Sequence, residues 1–364
     1  MDFKNIYLNY KDRNGNLNTV SSGEVKSTKF FPYYYINERK YIFKPLSKTK
    51  PFSTPLYGYA EVFWSNVIHN YFDEDTPIYN LAICKGYEDE VENYRDQGTL
   101  VPSIVKKDEK LVNLLEFYRE NKDEKVDIDK YINYCGVFYD YTLILESDFV
   151  SNNKEVGEEL ARQILYSILR ADSNYHYENV SFVYENNCFK KVAKPIDHEF
   201  SLYFSAPDYP LIHRFQLDSF LKTIDTEEIG LDGFWPYLGA KKNIFKNIDY
   251  IVKHYPNVVE EFINKLDLFI NDLENDRLVI PDNKDYFYPF STFDHEWGIA
   301  KYKEHDEKRE MVALEGIKPV SYDEVKNNLD NISAEIVVGS KVIRNHLVNK
   351  LNTYKNKNVF EKSK

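Results

Sequence analysis

Residues 170–202 read RADSNYHYENVSFVYENNCFKKVAKPIDHEFSL, and this stretch decides the fold. An apolar helical pattern over 156–169 leads into a polar loop that offers Asp172, Asn174, His176 and Asn179. A β-rich run over 180–184 follows, then a turn at Glu185-Asn186-Asn187, then a second run ending in Pro195-Ile196-Asp197-His198-Glu199. Two extended segments joined by a polar turn predict a hairpin. The hairpin brings Asn179, at the mouth of its first strand, close to Asp197, at the end of its second. An amide oxygen and a carboxylate held together make a hard, all-oxygen site. Such a site suits a Mg²⁺ ion that keeps several waters and binds phosphate oxygens. Adjacent residues on a strand point to opposite faces, so of the Asp197-His198-Glu199 triplet Asp197 is the expected ligand. Glu199, on the same face, is a secondary candidate. His176 is read as a brace for the loop backbone.

Upstream, residues 1–46 carry a β pattern: a short strand at Tyr7-Leu8-Asn9-Tyr10, a turn with a strong Asn14-Gly15 signal, and a Phe/Tyr-rich strand. Between the turn and that last strand lies Ser22-Gly23-Glu24-Val25-Lys26, and after it Tyr41-Ile42-Phe43-Lys44-Pro45. A lysine at a strand end is ordinarily a solvated side chain. A helical spacing over 58–68 then places Glu61 in an apolar first turn, where the helix N-terminus favours a carboxylate by only some tenths of a kcal/mol. Two further strands fit over 78–85 and 99–105, and Lys106-Lys107-Asp108-Glu109 reads as a hinge.

Taken in order, these segments resemble the HipA-type serine/threonine kinases. Members of that family carry a Ser-Gly-x-x-x-Lys phosphate loop, a strand ending in Lys-Pro, an Asp-x-His-x-x-Asn catalytic loop and a metal-binding Asp after a β-hairpin. Here Ser22, Gly23 and Lys26 match a phosphate loop one residue shorter, and Lys44-Pro45 matches the strand. His176-Tyr177-Glu178-Asn179 matches half of the catalytic loop, and Ala193-Lys194-Pro195-Ile196-Asp197 the second metal segment. The resemblance implies a two-lobed, protein-kinase-like α+β fold, with a β-rich N-lobe over 1–106 and a mostly helical C-lobe over 107–364. It implies ATP and Mg²⁺ as cofactors, Asn179 and Asp197 as metal ligands, and Lys44 on the α- and β-phosphates, paired with Glu61. Adenine is expected against backbone groups near 104–106. It also implies phosphoryl transfer to protein serine or threonine, autophosphorylation at Ser21 or Ser22, a protein substrate and a small antitoxin-like partner of the toxin–antitoxin kind.

One position departs from the pattern. Asn174 stands five residues before Asn179, where the family has its catalytic base. Three explanations are open: Asp172 serves as base, the chain is a nucleotide-binding pseudokinase acting as an interaction module, or Asn174 replaces an aspartate to trap a complex.

The second half is read as helical at 111–120, 128–144, 217–223, 244–253 and 258–273, with Pro256 ending one helix and Asn257 capping the next. A last helix opens on the capping box Ser321-Tyr322-Asp323-Glu324, with a possible interruption and a frayed end after Thr353. An irregular stretch spans 279–306, and no repeat or linker is present. With 364 residues and 43% hydrophobic content the chain supports a substantial core. A formal charge of −12 argues against a general nucleic-acid or anionic-membrane binder. Cys84, Cys135 and Cys188 fit neither a zinc nor a disulfide pattern and are read as buried or incidental thiols. No signal peptide and no run of 18 apolar residues is found. A cytoplasmic location is expected, and export by a specialised secretion system would leave no such mark.

Overall fold

Five strands make the first sheet of the computed structural model, which describes residues 6–9, 33–36, 39–47, 55–87, 94–121, 140–172, 175, 177–198, 201–204, 212–227, 237–287, 290–291 and 319–362. Strands β1 (Ile6–Asn9), β2 (Tyr33–Ile36), β3 (Arg39–Ser47), β4 (Asn80–Lys85) and β5 (Tyr94–Pro102) lie in the order β1-β4-β5-β3-β2. Only β1 against β4 is parallel. One face buries a small cluster of Tyr34, Phe43, Ala82, Cys84, Tyr87 and Leu100. There the Cys84 thiol meets the Tyr34 hydroxyl at 3.1 Å, and burial pushes its pKa up to about 12. The other face, with Leu46, Leu81 and Ile83, packs on helix α1 (Pro55–Val67). Side chains alternate along a strand, so Phe43 points into the small cluster and Lys44 points towards α1.

The strand that carries Lys44 depends on a close backbone approach. Gly98 on β5 pairs with Pro45, beside a register shift between Pro45 and Ser47. A Cβ at Gly98 would lie 2.3 Å from the Lys44 carbonyl oxygen, a backbone atom that no rotamer change can move aside. Gly98→Ala is therefore expected to lower stability by about 1–3 kcal/mol or more, read from denaturant unfolding. An unchanged midpoint would refute it.

Helix α1 is apolar nearly all round, and such a helix must be buried on every side. It starts at Pro55, where the missing N–H is no loss, so Glu61 sits in mid-helix and not in a first turn. The first-turn position assumed for Glu61 is thereby corrected, and the helix N-terminus is no partner to its carboxylate. Leu56, Tyr59, Ala60, Phe63, Trp64 and Val67 are all fully buried, with Trp64 meeting Phe269 at 6.3 Å and Phe63 meeting Phe204 at 5.7 Å. The helix is thus sandwiched between the sheet and the helical part of the chain. A single core runs through both.

After β5 the chain enters a second sheet, β6 (Glu109–Asn113), β7 (Ser181–Glu185) and β8 (Cys188–Val192), ordered β6-β7-β8. Helix α2 (Leu114–Glu120) follows β6 and is closed by a reciprocal capping box of Asn113 and Glu116. The larger helices are α3 (Lys154–Leu169), α4 (Ile212–Thr226), α5 (Tyr237–His254), α6 (Pro256–Glu274) and α7 (Tyr322–Lys362). The outcome is the two-lobed α+β arrangement that the family resemblance implies. Among the described residues no helix is long and apolar enough to cross a membrane.

Several expectations are corrected. Pro256 begins α6 as its first residue and does not end α5, and Tyr255, not Asn257, holds the N-cap position. Helix α7 is uninterrupted and continues past Thr353 to Lys362. Its stripe of Val325, Leu329, Ile332, Ile336, Ile343, Leu347 and Leu351 is buried, which binds it to the core along most of its length. Its start is as expected: Ser321 Oγ accepts from Glu324 N at 3.3 Å, and the Glu324 carboxylate accepts from Ser321 N at 2.6 Å. Cys188 is exposed at the hairpin turn, whereas Cys84 is buried as expected; Cys135 lies outside the described residues. Of the helix expected over 128–144, residues 128–139 also lie outside them, and the following segment forms a single helical turn at Thr142–Leu145.

Candidate functional site

The β7–β8 hairpin forms as expected, through a two-residue turn. Glu185 pairs with Cys188, and Asn186 and Asn187 both take positive φ (52° and 62°). Asparagine tolerates that conformation, which suits the twist of a two-residue hairpin. At the open end Ala193 N donates to Ser181 O at 2.8 Å. Helix α3 fastens this end, since buried Gln163 donates from Nε2 to Ala193 O at 2.7 Å. Asn179 precedes the paired Ser181 by two residues and is half-buried, and Asp197 follows Ala193 by four. The loop before β7 is tied to β6 and α2, with Leu114 N donating to Val180 O at 2.9 Å and to Tyr177 O at 3.2 Å.

The segment from Lys194 to His198 crosses to the first sheet. Lys194 meets Asp73, just beyond α1, at 2.9 Å and Glu159 of α3 at 3.8 Å. Burial acts to lower the Lys194 pKa, but Glu159, Asp73 and Asp75 outweigh it and hold the ammonium charged. Three residues later Asp197 adopts φ of 62°, an uncommon state for a non-glycine residue and one that often marks a functional constraint.

Here three remote segments meet. Lys44 Nζ from β3 donates to Glu61 Oε1 from α1 and to Asp197 Oδ1. Glu61 is 2% exposed, whereas Lys44 and Asp197 are 22% and 25% exposed. The lysine and the aspartate are therefore partly open to solvent, and the glutamate backs them from inside. Its second oxygen, Oε2, accepts the main-chain N–H of His198 at 3.1 Å. Tyr79 of the neighbouring strand segment is buried against the same group, with its pKa driven up by burial and by the Glu61 charge.

Beneath this triad is a buried polar cluster. Arg170 donates from Nη2 to Asp172 Oδ2 at 2.6 Å and from Nη1 to the ring Nδ1 of His198. Arg170, Asp172 and His198 are each 1% exposed. Burial, and then the positive charges of Arg170 and Lys44, hold the His198 pKa well below its usual value, so the ring is neutral and accepts. Ser201 Oγ donates to Arg170 O at 2.7 Å and accepts from Trp64 Nε1 of α1 at 3.0 Å.

Of the residues predicted for the site, the structure brings Lys44, Glu61 and Asp197 together and places Asn179 at the hairpin mouth. Ser22, Gly23, Lys26, Asn174 and His176 lie outside the described residues, as does Glu199. Asp172 is buried as the counter-ion of Arg170, an environment unlike that of a base which must reach a substrate hydroxyl. Arg170, His198, Ser201 and Lys194 were not singled out by pattern. The available signal was an arginine directly after an apolar helix, where a charge needs a partner. The donors present, one carboxylate and one amide oxygen, are chemically suited to a hard divalent cation. Among the described residues no group of three or more His, Cys, Asp or Glu side chains converges on a metal site.

No protein-family model and no curated protein sequence matches the chain. Among solved structures it is similar to the Helicobacter pylori proinflammatory kinase CtkA, with 11% identity and a TM-score of 0.41, over 88% of this chain and 94% of that one. It is also similar to a chain of the Shewanella oneidensis MR-1 toxin–antitoxin system HipA, HipB and its operator DNA complex. That match has 10% identity and a TM-score of 0.35, over 90% of this chain and 67% of that one. No residue role passes to this chain from either.

Proposed function

We propose that this chain is an ATP- and Mg²⁺-dependent phosphotransferase acting on protein serine or threonine hydroxyls, in the manner of the HipA-type kinases. The observation that carries the reading is the bonding of Lys44 to both Glu61 and Asp197, residues 17 and 153 positions away in sequence. A lone cation on a strand has many uses. A strand lysine clamped by a helix glutamate, with a metal-type aspartate at its tip, has the form of a phosphate-binding cradle.

In this reading Lys44 holds the α- and β-phosphates, and Glu61 keeps its ammonium from swinging away. Asn179 and Asp197 would hold Mg²⁺, which when bound neutralises charge on the β- and γ-phosphates. The substrate oxygen attacks the γ-phosphorus, the bond to the bridging oxygen breaks with ADP as leaving group, and the hydroxyl proton passes to water or to an oxygen of the transferred phosphoryl group. Asn174 cannot take that proton at neutral pH. A second reading, a nucleotide-binding pseudokinase working as an interaction module, draws on this residue alone. An antitoxin-like protein partner, autophosphorylation at Ser21 or Ser22 and a cytoplasmic location belong to the proposal as the family resemblance frames it.

Titration of the protein with ATP, with and without Mg²⁺, followed by transfer from labelled ATP, separates these readings. Binding that tightens with Mg²⁺ together with phosphoserine or phosphothreonine supports the kinase. Binding with no transfer supports the pseudokinase. A folded protein that binds no nucleotide overturns both.

A further inference from the structure

We infer that Arg170 and His198 are positioning residues that hold Asp197 in place for Mg²⁺, an inference that rests on the nucleotide-binding reading above. The argument starts from cost. A guanidinium and a carboxylate that are each 1% exposed have lost their hydration, and the attraction between them often does no more than offset that loss. Apolar residues of similar size would commonly serve stability as well. The Arg170–Asp172 pair is therefore poorly explained by stability alone, and its location supplies another reason.

The guanidinium has two ends in use. One is neutralised by Asp172, two residues along the same loop, and the other reaches His198. His198 directly follows Asp197 and is gripped twice, by Arg170 at the ring and by Glu61 at the main-chain N–H. Fixing residue 198 at both points fixes the peptide that joins it to Asp197. That restraint acts on a backbone at φ of 62°, a conformation that aspartate tolerates better than most L-residues but adopts less readily than the extended or helical ones. Arg170 is itself anchored, since its carbonyl is tied through Ser201 to Trp64 of α1. Ala171 O accepts Leu202 N at 3.1 Å, which closes the same junction. The cluster thus joins the loop that leads to position 174, the Asp197 segment and α1 as one unit. Neither the Arg170 Nε nor the His198 Nε2 finds a hydrogen-bond partner among the described residues, so the hydrogen bonds named, together with the Tyr79 ring 5.4 Å from the imidazole, orient the pair.

A residue that orients a metal ligand typically changes metal affinity by about 10–100-fold when lost. The test measures ATP binding with and without Mg²⁺ for the full chain and for His198→Leu, His198→Gln and the paired variant Arg170→Met/Asp172→Asn, which removes both buried charges together. Cooperative unfolding of each variant checks its fold. His198→Leu and the paired variant are expected to lose about tenfold or more of the Mg²⁺ enhancement, with Mg²⁺-free binding changed by less than about threefold. His198→Gln keeps an acceptor for Arg170 and is expected to recover most of the enhancement. A purely structural role would lower stability and both modes of binding in parallel, or leave the Mg²⁺ enhancement untouched, and either result overturns the inference. Where the paired variant does not fold, His198→Leu against His198→Gln carries the comparison. If the unaltered protein shows no Mg²⁺-dependent binding, the Mg²⁺-dependent kinase reading fails and this inference with it. If it does and the folded variants keep it, this inference alone fails.

Discussion

Asn174→Asp is expected to raise phosphoryl transfer by about 10²–10⁴-fold over the unaltered chain, the range that a positioned general base contributes. The reason is chemical. An amide oxygen can orient a hydroxyl by accepting its hydrogen bond, but it does not take the proton at neutral pH. The nucleotide cradle would be unchanged by the substitution, so ATP affinity should hold within about threefold while the rate rises, the mark of a transition-state interaction. Parallel measurement of Asp172→Asn decides the alternative base. Asp172 is bound to Arg170 and buried, so its loss should act through stability and site geometry. A transfer rate in the unaltered chain that matches Asn174→Asp, and collapses in Asp172→Asn with ATP affinity and stability unchanged, would assign the base to Asp172 instead.

The second large effect concerns Lys44. Lys44→Met is expected to abolish measurable transfer and to weaken ATP binding by more than about tenfold, since a charge-assisted contact to the phosphates is lost. It should also destabilise the fold by about 3 kcal/mol, because Glu61 is left as a buried carboxylate without its cation. The stability part can be separated from the functional part. Lys44→Met/Glu61→Gln removes the stranded charge, so the unfolding midpoint should recover much of its loss while ATP binding stays weak. Asp197 keeps its carboxylate in both variants, at the exposed side of the site, where water can take the place of the ammonium. Recovery of binding along with stability would show that Lys44 does not contact the nucleotide.

How much of this was legible in the chain differs by element. The β7–β8 hairpin was legible because its determinants are local: two β-rich runs and an Asn186-Asn187 turn that accepts positive φ. Lys44, Glu61 and Asp197 could be named because their order matched a motif series, although no local feature of any of them demands a partner. Helix α1 was recognised but started too late. Its apolar residues surround the whole helix, so no amphipathic edge marks its first turn, and Pro55 alone signals the start. Pro256 was misread for a related reason: a proline near a helix end fits either side of the break, and only the chain path shows that it begins α6. The Asn- and Lys-rich end of helix α7 after Thr353 suggests fraying, yet the helix is continuous to Lys362, and its buried stripe lies against α4, α5 and α6.

The sequence by itself determined where the β7–β8 hairpin and the larger helices lie, because these follow from periodicity and turn chemistry, but not β6 (Glu109–Asn113), which falls where a hinge and the start of a helix are expected. Tertiary structure alone decided which side each polar group serves. Asp197 stays partly open to solvent while its neighbour His198 turns inward, and Asp172, a carboxylate equally available on paper, is consumed by Arg170. That choice depends on which charges the fold seals from water, and desolvation is a property of the whole packed core, not of any stretch of residues.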